Sequence, residues 1–221
     1  MKNAKKVLAG LVGCLAIGGV VLSSTAVASG PEGHEKQAGL KVGDKAPNFT
    51  LTDLDGNKHE LAKYTAEGKI VVLEWFNPEC PFVKKHHTLN KTMHDTHKAF
   101  KDKGIVWLAI NSGAPGEQGT GVDFNKQAHK DFEMAYPVLL DESGEVGHKY
   151  GAKTTPHMYI IAKDGTMAYM GAIDNNRSAR EPGDVNYVMN ALKQITAGET
   201  ITENTTTPYG CSVKYGKKKG N

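Results

Sequence analysis

Hydrophobic positions along the chain fall into distinct rhythms. Residues 69–76 (KIVVLEWF) and 105–111 (IVWLAIN) are almost continuously apolar and rich in β-branched and aromatic side chains. Continuous rather than alternating apolarity predicts strands buried on both faces, as in a parallel or mixed sheet. Residues 136–140 predict a shorter third strand of the same kind. Two hairpins frame these strands. Phe49, Leu51 and Leu54 run into a turn at Asp55-Gly56-Asn57 and return through His59 and Leu61; residues 157–162 and 166–170 are joined at Lys163-Asp164-Gly165. Helical signals fill the gaps. Asn77-Pro78-Glu79 breaks the first buried strand, and Cys80-Pro81 opens a helical stretch to about Lys103, with Pro81 at the first helical position, where its missing N–H costs nothing. Residues 122–132 and a turn at 146–150 are also helical. Residues 185–197 predict an amphipathic helix, with Val185, Val188, Met189, Leu192 and Ile195 along one side. The order β-β-β-α-β-α-β-β-α predicts the α/β class: a central mixed β-sheet with helices on both faces and an N-terminal β-hairpin extension.

The first residues belong to a different pattern. Lys2, Lys5 and Lys6 precede an apolar run from Val7 to Leu22 and small residues ending in Ala26-Val27-Ala28, the three-part layout of a signal peptide cleaved after Ala28. Leu11-Val12-Gly13-Cys14 offers a second reading, in which Cys14 carries a lipid anchor. Both predict an exported protein, periplasmic or extracellular. Residues 29–40 then form a flexible lead-in, 41–197 the folded domain and 198–221 a Thr-rich polar tail carrying Cys211. No other segment is long and apolar enough to span a membrane.

Composition changes the picture in two places. With 221 residues and 39% apolar content the chain can build one sizeable core. The formal charge of +3 belongs to the leader, because residues 29–221 hold 24 basic and 24 acidic residues. That balance offers no bulk attraction for nucleic acid or an anionic membrane. It also leaves only Cys80 and Cys211 in a chain bound for an oxidising compartment, where two thiols pair or do redox chemistry.

Cys80 falls where a buried strand gives way to a helix, the place where α/β sheets set their chemistry. Unpaired N–H groups and the positive end of the helix dipole stabilise a thiolate there, so the position predicts a nucleophile with a depressed pKa. The run from Val72 to Lys84 (VLEWFNPECPFVK) resembles the active-site strand, loop and helix start of the thioredoxin-like superfamily. Thr154-Thr155-Pro156 resembles its cis-proline loop. Residues 41–49 (KVGDKAPNF) resemble the opening of the redoxin branch, which includes peroxiredoxins and thioredoxin-like reductases. The resemblance spans about residues 41–197. It implies a thioredoxin-like fold and a thiol oxidoreductase whose Cys80 attacks a peroxide or protein disulfide. It also implies a cis Thr155-Pro156 bond, with Pro156 shaping the substrate groove, a thiol electron donor, and no cofactor.

The same comparison shows departures. Val83 stands where thioredoxins carry a second cysteine, which excludes a local Cys-x-x-Cys. Asn77 and Leu73 stand where peroxiredoxins carry Thr or Ser and Pro. The Cys80-Pro81-Phe82-Val83-Lys84 run and residues 210–214 (GCSVK) are similar instead to a peroxiredoxin-like group with a distant C-terminal cysteine, which makes Cys211 the candidate resolving thiol. The tail would then run back over the domain, with Tyr209 and Tyr215 as anchors. Glu74 stands where thioredoxins hold a buried acid; desolvation would raise its pKa and suit it to proton relay. The plainer reading gives Glu74 a polar pocket or a lysine such as Lys103.

An unbroken helix from Cys80, advancing 100° per residue, would bring His86, His87, His94, His97 and Cys80 within about 120° of one another. Imidazole and thiolate suit copper or zinc, so a second reading is a metal-binding module, or a non-catalytic thioredoxin-like domain with a structural Cys80–Cys211 disulfide. The spacing matches no familiar ligand set, and a solvated helix flank is the plainer expectation.

Overall fold

The structure, a computed structural model, describes residues 39–216. The export signal, Cys14, the lead-in to residue 38 and the lysines at 217–219 lie outside the described residues. Strands form where continuous apolarity predicts them: β3 (Val71–Trp75) and β4 (Val106–Asn111) pair in parallel, with Val72 opposite Trp107, and β5 (Val138–Leu140) pairs in parallel with β4. On the other side of β3, β7 (His157–Ile161) runs antiparallel and carries β8 (Met167–Gly171) through a hairpin. The first hairpin, β1 (Thr50–Asp53) and β2 (Lys58–Glu60), attaches antiparallel to β5. The sheet order is β2-β1-β5-β4-β3-β7-β8.

Every residue of β3 and β7 is buried, because helices cover both faces. On one face Val72, Phe76 and Met158 pack with Met93 and Phe100 of α3 (Thr92–Phe100) and with Val188 and Leu192 of α6 (Tyr187–Thr196). On the other, Leu73, Trp75 and Ile110 pack with Leu61 of α1 (Leu61–Ala66) and with Val146 and Tyr150 of α5 (Glu145–Tyr150). A further helix, α4 (Val122–Asp131), follows the Gly-rich loop after β4. Helix α1 was not expected; its six residues are too short for a periodic signal.

The helix after Cys80 is not continuous. Four residues of α2 (Pro81–Lys84) pass into a wide π-helical turn, Lys85–Leu89, and Lys91 takes a left-handed conformation (φ 49°, ψ 24°) before α3 begins. The wide turn bonds i to i+5 and loses phase with a regular helix, and the left-handed residue redirects the chain. The expected single face of Cys80 and four histidines is therefore divided. His86 and His87 turn inward, while His94 stays near Asp95 on the surface and His97 packs on Trp107 and Tyr136. Among the described residues, no group of three or more His, Cys, Asp or Glu side chains is placed to hold a metal.

The segment read as a polar tail folds back as a strap across the sheet. Ile201, Tyr209 and Val213 are buried. Thr205 bridges to Met170 of β8, and β9 (Cys211–Ser212) pairs antiparallel with β6 (Thr154–Thr155). Among the described residues, no helix is long and apolar enough to cross a membrane.

Candidate active site

Past β3, Asn77 turns the chain and braces the turn. Its Oδ1 accepts the Glu79 N–H at 2.9 Å, its Nδ2 donates to the Gln118 carbonyl at 2.9 Å, and its own carbonyl accepts the Cys80 N–H at 3.0 Å. Gly119 (φ +79°) passes so close that a Cβ would stand 2.1 Å from Asn77 Oδ1. Cys80 then caps α2 in an extended conformation, with Pro81 in the first turn as expected. Its side chain is buried, and the Sγ–H donates to the Thr155 carbonyl at 2.9 Å.

That carbonyl belongs to a cis peptide bond, Thr155-Pro156, as the resemblance implied. Thr155 is also the residue paired with Cys211 across β6 and β9. Between them Gly210 (φ +144°) approaches so closely that a Cβ would lie 2.0 Å from the Thr155 oxygen, so only glycine brings the strap to this depth. Pro156, Cys80 and Cys211 thus meet around one peptide unit, although Cys211 comes from the far end of the fold. Both thiols are free. Burial and, after it, the neighbouring Cys80 sulfur push the Cys211 thiol up to about 12. Cys211 therefore keeps its proton at neutral pH.

Glu74 is buried on the sheet face of Val72 and Phe76, but its partners differ from those considered. Oε1 lies 2.8 Å from His87 Nε2, and Oε2 accepts the Tyr136 hydroxyl at 2.8 Å. Burial and, next, the Glu74 charge hold the Tyr136 phenol well above its ordinary range, so it remains a donor. Lys103 is exposed and takes no part. His87 is thereby committed to a carboxylate, and His86 lies against Tyr209 of the strap, 3.2 Å from its hydroxyl.

Beyond Thr154 a cavity of about 470 Å³ opens between Tyr150, Lys153, His157, Met170 and the strap at 205–208. Tyr159 donates its hydroxyl hydrogen to the Tyr150 carbonyl at 3.0 Å, so the contact of that oxygen with His157 Nδ1, also 3.0 Å, uses the imidazole hydrogen. The Nε2 of His157 is then a bare acceptor. Burial and, secondarily, the Lys153 charge lower the His157 pKa to about 4 and keep the ring neutral.

Sequence reasoning brought Cys80, Pro156 and Cys211 together and named Tyr209 and Tyr215 as anchors. It missed the brace at Asn77 and the fully buried Lys85 with its partner Asp174. No local signal marks Lys85, because a lysine is read as solvent-facing unless its partner is known.

Known proteins are similar to this chain in sequence and in fold. The AhpC/TSA family model matches residues 42–170. The thiol-disulfide oxidoreductase ResA of Bacillus thuringiensis subsp. konkukian is 31% identical over 130 residues, 59% of this chain and 69% of ResA. An uncharacterized conserved protein from Geobacillus kaustophilus has a similar structure, with a TM-score of 0.69 at 27% identity over 80% of this chain and 94% of that one. The thioredoxin domain of a thiol-disulfide oxidoreductase from Bacteroides vulgatus matches in fold, with a TM-score of 0.54 at 21% identity over 71% and 99% of the two chains. Cys80 and Pro156 lie inside the family match, and Cys211 lies outside it.

Proposed function

Because this chain belongs to the AhpC/TSA family and has a thioredoxin-like fold, we propose that it is a thiol-disulfide oxidoreductase whose working pair is Cys80 and Cys211. The observation that carries the reading is the pairing of β9 with β6, which sets Cys211 against the same Thr155 whose carbonyl holds the Cys80 thiol. A second sulfur that relatives with a Cys-x-x-Cys draw from the next helical turn is here delivered by the strap.

In the dithiol form Cys80 is the attacking sulfur, since Cys211 holds its proton tightly. Cys80 releases its thiol proton to solvent, and the resulting thiolate attacks one sulfur of a substrate disulfide, R–S–S–R′; a Cys80–S–R bond forms and R′–S⁻ leaves, taking a proton from solvent. Cys211 then passes its proton to the departing sulfur and attacks Cys80. The Cys80–Cys211 bond forms and R–SH leaves, so two electrons have moved from the protein pair to the substrate. An external dithiol resets the pair. Pro156 shapes the wall along which the substrate lies. Glu74, held with His87 and Tyr136, serves as the proton-exchanging carboxyl of the site. A disulfide is the favoured substrate because Asn77 binds its own loop, at the position where a peroxidatic site carries Thr or Ser. The signal-like pattern of residues 1–28 supports an exported setting for the reaction.

Peptide mapping after titration with an oxidised dithiol and, separately, with a hydroperoxide tests this reading. The expected product is one peptide pair joining Cys80 to Cys211, with a reduction potential above about −300 mV, the range of disulfides that cycle. A potential well below that value would make the bond structural. Two free thiols, or a link between the Cys80 residues of two chains, would overturn the pairing.

A further inference from the structure

We infer that Tyr209 is a positioning residue for Cys211, and that the buried Lys85–Asp174 ion pair is the anchor it grips. The inference rests on the reading of Cys211 as the partner of Cys80. Tyr209 stands two residues before Cys211 with only Gly210 between them, and it is buried. Its hydroxyl donates to Asp174 Oδ1. With its single hydrogen committed there, the phenol oxygen accepts from its other neighbours: Lys85 Nζ donates to it at 3.0 Å and His86 Nε2 lies 3.2 Å away. The oxygen is saturated. His86 is left with its hydrogen on Nε2, and the buried Nδ1 without a partner is a lone pair. Lys85 completes its shell on Asp174, 3.1 Å from both carboxylate oxygens, and on the Asn176 carbonyl at 2.6 Å. The Tyr209 ring also meets Phe82 edge-on, with centroids 5.8 Å apart.

Phe82, Lys85 and His86 all belong to the segment that begins at Cys80. One side chain of the strap is therefore fastened to the element that carries the nucleophile, and Gly210 alone transmits that fastening to Cys211. A buried ion pair is a weak stabiliser compared with apolar packing of the same volume. Its charges add a single fixed seat for the phenol oxygen, which apolar packing would not define.

In the oxidised protein the disulfide itself tethers the strap. In the reduced protein the strap is held only by noncovalent contacts, and the clamp keeps Cys211 at high effective concentration beside Cys80. Losing the clamp therefore lets the reduced strap undock, and the equilibrium constant for oxidation by glutathione disulfide falls. In that exchange the protein dithiol and one glutathione disulfide give the protein disulfide and two glutathione thiols. A merely structural role would lower the melting temperature of both redox forms alike and leave the constant unchanged.

The test measures this constant for the wild type, Tyr209→Phe and Asp174→Asn, the last two keeping side-chain volume. It also measures the iodoacetamide rate of Cys211 in a Cys80→Ser background, with and without Tyr209→Phe. The constant should fall at least about fivefold in both clamp variants, and Cys211 should alkylate at least about fivefold faster. Smaller changes in whichever variant folds would overturn the inference. If the wild type forms no Cys80–Cys211 bond in the glutathione buffer, the functional reading fails, and the alkylation arm, which needs only a docked strap, still decides the clamp.

Discussion

The two sulfurs of the site are held by regions of opposite construction. Around Cys80 the backbone support is mostly local: a central strand, a turn at Asn77 and a helix start, with the Cys80 carbonyl accepting from Val83 and Lys84 at 3.0 Å each, and only the Asn77–Gln118 and Cys80–Thr155 bonds reaching further. Around Cys211 every support comes from far away in sequence. Tyr209 reaches Lys85 and Asp174, the Val213 N–H donates to the Lys153 carbonyl at 3.1 Å, and the Tyr215 hydroxyl donates to the Ala152 carbonyl at 2.7 Å. The Tyr215 ring stacks on His148, with centroids 4.1 Å apart. The contrast teaches that Cys80 is part of the core, whereas Cys211 sits on a docked segment that can loosen while the core stays folded.

The sharpest break between the two regions is chemical. Cys80→Ser should lower thiol-dependent turnover by roughly 10³-fold or more, because no other group makes the first attack. Cys211→Ser should leave that attack intact and trap Cys80 as a mixed disulfide, or as a sulfenic acid after peroxide, which intact-mass spectra of quenched reactions will distinguish. Equal loss of the first step in both variants would erase the proposed division of labour.

Gly210→Ala should cost about 3 kcal/mol, from the unfavourable φ and the contact with the Thr155 oxygen. That loss should fall on the strap alone. In hydrogen exchange, the amides of Thr206 and Val213 should lose protection while those of β3 and β4 keep theirs.

Acid should act on the same region. His157 is held neutral with a pKa of about 4, against about 6.5 in the unfolded chain, so its share of stability is complete above pH 6.5 and is lost as pH falls toward 4. The lost share is roughly 2–3 kcal/mol. His86, lowered by burial to about 3, works in the same direction. Urea midpoints measured from pH 7 to 4 should fall, and His157→Gln should flatten that fall. The smallest effect belongs to Tyr215→Phe, which removes one hydrogen bond and should cost about 1 kcal/mol, read as a modest drop in melting temperature with the glutathione constant unchanged.

What could be read in the sequence follows the same division. β3, the turn at Asn77 and the start of α2 were legible because adjacent residues dictate them. The strap was half legible: Tyr209 and Tyr215 announced anchors, but their seats on Lys85, Asp174 and Ala152 depend on how distant elements fold together. The break at Lys91 carried no glycine or proline to mark it, so the histidine face drawn on an ideal helix could not survive. Glu74 was recognisable as a buried acid, yet its partners His87 and Tyr136 come from the π-helical turn just before that break and from the entry to β5.

The distance between the two cysteines also bears on how the proposed Cys80–Cys211 bond would form. Cys80 and Cys211 are 131 positions apart and are the sole cysteines among the described residues. Within that span there is one intramolecular pairing and no isomer to scramble into. In the unfolded chain the closure entropy of so long a loop leaves each thiol dilute with respect to the other, and small thiols compete well. Native structure alone raises their local concentration, through a ladder only two residues long. On the proposed pairing, oxidation would follow folding instead of guiding it, and a nonreducing gel would become a conformational assay: folded chains should run as closed monomers, and failed ones as capped monomers or linked dimers.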